Sequence, residues 1–217
     1  EAIAAIDLQA LSLDGLRVSG NRLLIGATVT LASLGEQAGL PPALLKAIGL
    51  ELTYNLRQVA TVAGTLVSAG GRSGFAAAML ALDAELELRA HPASGHPEGA
   101  RMRLGDLLPL RRERLRGRLI TQVEIPLNVR LAYEYVARTP ADLPILCVAL
   151  AKWRSGRTRV VVGGFGSAPC LAMDGPTEDG AEIAAQEVCQ AAEDEWASAE
   201  YRRQVAGVLT RRCALVP

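Results

Sequence analysis

The chain has 217 residues, half of them hydrophobic, which is enough apolar side chain for a sizeable core in one or two domains. Its formal net charge is zero, so electrostatic binding of the whole molecule to nucleic acid or to an anionic membrane is not expected. No apolar run approaches the ~20 residues that a membrane-spanning helix needs.

The first part of the chain predicts a hairpin followed by two helices. Leu16–Val18 and Leu23–Ile25 flank a short run of turn residues, as in a β-hairpin. Thr30 is predicted to cap a short helix that ends near Gly39. A second helix is predicted to begin at Pro42, because proline is favoured in the first turn.

The remaining elements mix strands and helices without a regular βαβ repeat. The pattern predicts a helix over 75–82, strands over 84–88, 101–104, 119–125, 132–138, 144–153 and 158–162, and helices over 181–192 and 199–215. In the last helix, Tyr201, Val205, Val208 and Leu209 are predicted to share the apolar side. Hairpins in this order favour an α+β fold with antiparallel sheets, divided near Asn128 into residues 1–127 and 128–217.

Few side chains are available for metal binding or hydrolysis. Cys147, Cys170, Cys189 and Cys213 are far apart, without the spacing of a zinc or iron–sulfur site, and are predicted to be buried free thiols of a cytoplasmic protein. His91 and His96 lie in a polar loop that is predicted to be solvated. No metal site and no hydrolytic triad is therefore predicted.

One segment concentrates positive charge. Arg111, Arg112, Arg114, Arg116 and Arg118 are opposed only by Glu113. One hypothesis is a docking site for an acidic partner or a dinucleotide phosphate. The other, which we favour, is a solvated loop with long side chains lying along the surface. Nucleic-acid binding is not predicted, because no aromatic residue is interleaved with the arginines.

Five segments resemble, in the same order, those of a known family. They are Leu24–Leu31 (LIGATVTL), Arg57–Leu66 (RQVATVAGTL), Leu80–Leu88 (LALDAELEL), Leu119–Pro126 (LITQVEIP) and Ser198–Arg203 (SAEYRR) with Arg211-Arg212. Together they resemble the FAD-binding subunit of molybdenum hydroxylases of the xanthine dehydrogenase and carbon monoxide dehydrogenase type. The abrupt apolar start at Glu1–Asp7 predicts that the N-terminal subdomain of this family, with its own glycine-rich loop, is lacking.

The resemblance implies both a fold and a function. The fold is an FAD-binding subdomain like that of vanillyl-alcohol oxidase, followed by a domain like the C-terminal domain of carbon monoxide dehydrogenase flavoproteins. The function is transfer of electrons from an iron–sulfur partner subunit through FAD to an acceptor. A further partner subunit would hold the molybdenum cofactor and the substrate.

The resemblance also implies a glycine-rich phosphate-binding loop over residues 61–68 and a set of cofactor-binding residues. Ala63 replaces a family glycine, Thr65 an asparagine and Gly74 an aspartate, and Glu134 and Tyr135 stand near a family lysine. These departures leave an alternative open, in which the chain is a non-catalytic scaffold or degenerate paralogue that keeps the fold and has lost FAD. The implied FAD contacts are Ala60, Thr61, Ala63, Gly64, Thr65, Val67, Ser73, Gly74, Leu119 and Ile120.

Overall fold

A computed structural model of the protein describes residues 7–91, 95 and 98–216. The predictions for residues 1–6 and for His96 lie outside the described residues. The strands are β1 (Leu16–Ser19), β2 (Arg22–Gly26), β3 (Glu85–Ala90), β4 (Gly99–Arg103), β5 (Arg118–Pro126), β6 (Val129–Val136), β7 (Leu146–Trp153), β8 (Thr158–Gly163) and β9 (Cys170–Gly175). The α-helices are α1 (Leu31–Gly35), α2 (Pro42–Glu51), α3 (Tyr54–Arg57), α4 (Val62–Ser68), α5 (Gly74–Ala81), α6 (Leu104–Leu107), α7 (Arg111–Arg114), α8 (Ala181–Glu187) and α9 (Ala199–Leu215).

The first sheet is five-stranded and antiparallel, in the order β1-β2-β5-β3-β4. β1 and β2 form the predicted hairpin, and its turn contains Gly20 at a φ of 57°. β5 lies at the centre of the sheet and pairs with both β2 and β3. Leu23, Ile25, Val123 and Ile125 are fully buried on one face of this sheet. A single apolar face therefore fixes the register of the central strands.

Helix α5 lies between the first-half helices and the second sheet. Each of its residues is buried, and the segment from Gly74 to Ala81 contains no charged side chain. It packs against α2 on one side and against β7 and β8 on the other. A helix that is apolar all round needs contacts on every side, and this position supplies them.

The second sheet is four-stranded and antiparallel, in the order β6-β7-β8-β9. Along β7, Leu146, Val148 and Leu150 pack beneath α8 and α9. The alternate residues Cys147 and Ala149 belong instead to the core around α5. Burial on both faces explains why β7 is a continuous apolar run instead of an alternating one.

Helix α9 is buried along a face that differs from the predicted one. Tyr201 and Val208 were predicted to be on the buried side, but they are 42% and 38% exposed. The buried residues are Arg202, Ala206, Gly207, Leu209, Thr210 and Cys213. The prediction was correct for Leu209 and wrong for Tyr201 and Val208. A fully buried arginine begins the buried face, and apolar periodicity cannot identify such a residue.

Other predictions of element bounds were partly wrong. α1 ends at Gly35, and Gly39 lies in the following loop at a φ of 84°. α8 ends at Glu187 instead of near Ala192. β9 was not predicted, because it is an edge strand whose residues are half-buried or exposed and so lack a clear alternation.

The α+β class with antiparallel sheets is confirmed. The chain passes from the first sheet to the second between Pro126 and Val129, while the division into two separate domains stays a prediction. Cys147, Cys189 and Cys213 are buried free thiols as predicted, whereas Cys170 is only half-buried. Within the described residues, no helix has the length and apolar character required to cross a membrane.

Candidate functional site

The segment 61–68, predicted to be a glycine-rich loop, is a capped helix. Thr61 is the N-cap of α4, and its Oγ1 accepts a hydrogen bond from the Gly64 N–H at 3.1 Å. Ala63 lies inside this helix and is not among the described residues with positive φ. An alanine here is therefore not strained, because the backbone conformation suits any L-residue.

The amide groups at the start of α4 already have acceptors inside the protein. Val62 donates to the Val29 carbonyl at 2.8 Å, and Ala63 donates to the Ala27 carbonyl at 3.3 Å. The Gly64 N–H donates a hydrogen bond to the Thr61 hydroxyl oxygen. A phosphate placed at this helix therefore needs donors other than these amides, and side chains around it must supply them.

A cleft of about 780 Å³ lies between α4 and the first residues of β5. Among the predicted contacts, it is lined by Thr61, Ala63, Gly64, Val67, Leu119 and Ile120. It is also lined by polar residues that were not predicted, namely Asp7, Gln9, Thr28, Thr30, Gln58 and Arg118. Thr28 and Thr30 belong to the motif LIGATVTL, and Arg118 ends the arginine-rich segment, so the sequence did contain signals for them.

The residues of this cleft fit a flavin dinucleotide. Its volume lies within the range of about 300–1,000 Å³ that is usual for small-molecule and cofactor sites. Leu119 and Ile120 provide an apolar end, while Thr30, Thr61 and Arg118 provide hydroxyl and guanidinium groups for a diphosphate. A Cβ at position 64 would lie 2.8 Å from Thr61 Oγ1, so glycine at this position avoids a clash with the capping hydroxyl.

A second pocket of about 430 Å³ adjoins the cleft on the other side of α4. The two share Thr61 and Gly64. Ala60, Thr65 and Ser73, three further predicted contacts, line this second pocket instead of the cleft. The structure thus places nine of the ten predicted residues in two adjacent cavities that meet at the N-terminus of α4.

Gly74 is the predicted contact that lines neither cavity. It is buried at the start of α5, and a Cβ there would lie 2.2 Å from the Tyr133 hydroxyl oxygen. The space that a side chain at position 74 would need is therefore occupied by Tyr133 of β6. Burial raises the pKa of Tyr133 far above its usual range, so this hydroxyl stays neutral.

A lysine does lie beside Glu134 and Tyr135, but it comes from another element. Lys46 of α2 donates to the Tyr133 carbonyl at 3.2 Å and to Glu134 Oε1 at 3.4 Å. Its ammonium nitrogen also lies 5.3 Å from the centre of the Tyr135 ring. Lys46, Tyr133 and Glu134 line a separate cavity of about 500 Å³ and not the cleft.

The arginine-rich segment is not a uniform solvated loop. Arg111 donates to the carbonyls of Leu66, Val67 and Ala69 at the C-terminal end of α4, and to the Ser167 carbonyl at 2.6 Å. The favoured prediction is wrong for Arg111, because the unpaired carbonyls of a helix end need donors and its guanidinium supplies them.

Comparison with known proteins identifies the family. The sequence model described as "FAD binding domain in molybdopterin dehydrogenase" matches residues 2–128. The chain belongs to this family. It is also 27% identical over 210 residues to the uncharacterized protein YgfM of Escherichia coli K12, covering 94% of this chain and 76% of that protein.

Solved structures share the fold. Reconstituted CO dehydrogenase from Oligotropha carboxidovorans matches with a TM-score of 0.75 and 24% identity, covering 93% of this chain and 77% of that one. Quinoline 2-oxidoreductase from Pseudomonas putida 86 matches with a TM-score of 0.71 and 20% identity, covering 94% and 77%. The CO dehydrogenase from Hydrogenophaga pseudoflava that lacks the Mo-pyranopterin moiety matches at 0.75 and 20%, covering 93% and 77%.

The family assignment confirms FAD as the cofactor. The chain is a flavoprotein subunit of the molybdenum hydroxylase type, and the alternative of a scaffold or degenerate paralogue without FAD is not favoured.

Proposed function

We propose that this chain binds FAD in the cleft between α4 and β5 and passes electrons from an iron–sulfur partner subunit to an acceptor. A third subunit would hold the molybdenum cofactor and the substrate. FAD supplies the redox chemistry, because the amino acids of this site cannot accept and release electrons in this way. The observation that carries the proposal is the cleft itself, with six of the predicted contacts around one cavity.

Different side chains of the cleft bind different parts of FAD. Leu119 and Ile120 pack against the apolar ring system, and burial of that surface contributes most of the affinity. The hydroxyls of Thr30 and Thr61 and the guanidinium of Arg118 bind the diphosphate. Gly64 leaves room for the diphosphate to approach the capped turn.

The electron-transfer role can be tested on the protein purified under native conditions together with the subunits that stay bound to it. Flavin, iron and molybdenum are measured in the same fraction. We expect all three to be present, and we expect the flavin to be bleached faster by a reductant when the iron–sulfur subunit is present than after its removal. A flavin-containing protein that binds neither metal would contradict this role while leaving FAD binding intact.

The location in the cell and the division into residues 1–127 and 128–217 stay predictions. The division does not affect the assignment of the cleft, because every residue that lines the cleft lies before position 121.

A further inference from the structure

The second pocket contains a carboxyl group with an unusual position. Glu51 is the last residue of α2, and its side chain crosses to the start of α5, where Oε2 accepts a hydrogen bond from the Phe75 N–H at 3.0 Å. The Ser73 hydroxyl and the Gly74 amide also face this carboxyl. Because Gly74 has no side chain, the first turn of α5 receives its carboxyl from Glu51 and not from its own residues.

Within the described residues, Glu51 takes part in no ion pair with a lysine or arginine. Burial raises the pKa of its carboxyl above the usual range, although hydrogen bonds from Phe75, Ser73 and Gly74 act in the opposite direction. A half-buried carboxylate without a counter-ion carries a desolvation cost in free energy. A ligand that donates hydrogen bonds to the carboxylate would offset that cost.

The other polar groups of the pocket also present acceptors. The Thr65 hydroxyl donates to the Thr61 carbonyl at 2.8 Å, and the Ser68 hydroxyl donates to the Gly64 carbonyl at 2.9 Å. Each hydroxyl has one hydrogen to donate, so both oxygens can only accept from a ligand. An occupant of this pocket must therefore bring its own donors.

Arg72, whose guanidinium could donate hydrogen bonds in this pocket, already donates them to carbonyl groups of the protein. Arg72 donates to the Pro144 carbonyl at 2.9 Å and to the Leu143 carbonyl at 2.5 Å. Its guanidinium carbon lies 4.1 Å from the centre of the Trp196 ring, which fixes the side chain in this position. Arg72 is thus held by the protein and does not turn toward Glu51.

The pocket also joins the flavin cleft, since both are lined by Thr61 and Gly64. A dinucleotide whose diphosphate crosses these two residues extends into both cavities. The parts of FAD next to its diphosphate are two polyols, the ribityl chain and the ribose, and each carries several hydroxyl donors. The chemistry of these polyols matches a pocket that presents a carboxyl and two hydroxyl acceptors.

We propose that Glu51 is a cofactor-binding residue whose carboxyl accepts a hydrogen bond from a polyol hydroxyl of FAD, next to the diphosphate at Thr61 and Gly64. This proposal rests on the proposed flavin function. It adds to the cleft a residue from α2, which none of the five family-like segments contains.

The test compares FAD affinity in the protein and in Glu51→Gln, measured by quenching of flavin fluorescence. The amide keeps an acceptor for the Phe75 N–H but loses the charge, so we expect FAD to bind roughly tenfold more weakly. Glu36→Gln, which removes the same charge from an exposed position outside both cavities, is the matched control and should leave the affinity unchanged.

Two smaller probes identify the polyol. ADP contains the ribose and FMN contains the ribityl chain, so a loss of affinity for one of them shows which polyol Glu51 contacts. Equal affinity of the protein and of Glu51→Gln for FAD, ADP and FMN, within about twofold, would overturn the proposal.

Two further variants keep the test decisive. If Glu51→Gln does not fold, Ser68→Ala removes an acceptor from the same pocket and should weaken the same probe severalfold, whereas unchanged binding would overturn the proposal. Gly64→Val places a branched side chain where the cavities meet and should abolish FAD binding. Full FAD binding by Gly64→Val would contradict the proposed cleft itself, so this outcome is distinct from a failure of the Glu51 proposal.

Discussion

Arg202 is fully buried, and its guanidinium connects three other segments of the chain. It donates to the carbonyls of Ile145, Ala192 and Gly164 and forms a two-oxygen ion pair with Asp194. Burial by itself would raise the pKa of Asp194, but hydrogen bonds from Arg202 and nearby amides outweigh it and hold that pKa below its usual range. The Arg202 side chain therefore supplies hydrogen-bond donors to carbonyl groups in the loops that precede α9 and β7.

Replacing Arg202 should be costly. We expect Arg202→Ala to lower the free energy of unfolding by about 3–5 kcal/mol, because several buried carbonyls and one carboxylate would lose their donor. The matched control is Arg203→Ala, which removes the same residue type at the adjacent exposed position and should change stability by less than about 0.5 kcal/mol. Equal effects of the two substitutions in chemical denaturation would contradict this role.

Residues whose function is local could be predicted from the sequence, and residues placed by the fold could not. Thr30 caps α1 as predicted, because a threonine before an apolar run is a sufficient signal for an N-cap, whereas the cap at Thr61 was not predicted. Glu51 lies 24 residues before its partner Phe75, so their contact depends on how α2 packs against α5. The motif SAEYRR located Arg202 without indicating that it would be buried.

At the scale of elements, α5 begins at a position where no side chain fits. Gly74 lies against the Tyr133 hydroxyl, which in turn is fixed by the pairing of β6 with β7. The start of α5 and the centre of β6 are therefore packed as one unit, and a change in either element requires a change in the other.

This packing predicts the effect of a single methyl group. We expect Gly74→Ala to lower the free energy of unfolding by about 1–3 kcal/mol, because its Cβ would overlap the Tyr133 ring and the core is already filled. Gly70→Ala is the control, since nothing lies within 4 Å of a Cβ at that position. Thermal or chemical denaturation of both variants measures the difference, and an equally stable Gly74→Ala would contradict the close packing.

The type of most elements could be predicted from the sequence, whereas their exact bounds and the faces they bury could not. Strands β2, β5 and β8 were recognisable because buried β-branched and aliphatic residues recur within short runs, and β1 because turn residues separate it from β2. The segment 61–68 was mistaken for a loop because it contains Gly64, two threonines and two valines, which are weak helix formers. Capping by Thr61 and contacts to Ala27 and Val29 outweigh that weak propensity.

On the scale of the whole molecule, a group of ion pairs connects the two sheets. Asp83, which precedes β3, contacts Arg157 at 2.9 Å and Arg159 at 3.1 Å. Both arginines also contact Asp174 of β9 at 2.7 Å. Because these residues come from both halves of the chain, their relative position depends on the complete fold and could not be predicted from local patterns.

The ion pairs give stability a dependence on pH. Hydrogen bonds from Arg157 hold the pKa of Asp174 below its usual range, despite partial burial. A folded pKa below the unfolded one adds stability above the unfolded value of about 3.9, and that stability is lost as the pH falls through the folded value. We therefore expect Asp174→Asn to cost ~1 kcal/mol near pH 7 and progressively less below about pH 4.

The measurement is urea denaturation of the protein and of Asp174→Asn at several pH values, with the exposed Asp106→Asn as control. A difference between the protein and Asp174→Asn that stays constant from pH 7 to pH 3 would show that the carboxylate charge does not act in this way.

The account depends most on where FAD binds, and a crystal structure of the protein grown with saturating FAD tests this directly. We expect the dinucleotide to cross Thr61 and Gly64, with its ring system against Leu119 and Ile120 in the cleft between α4 and β5. FAD bound at any other surface, or a cleft that remains empty at saturating FAD, would contradict the account.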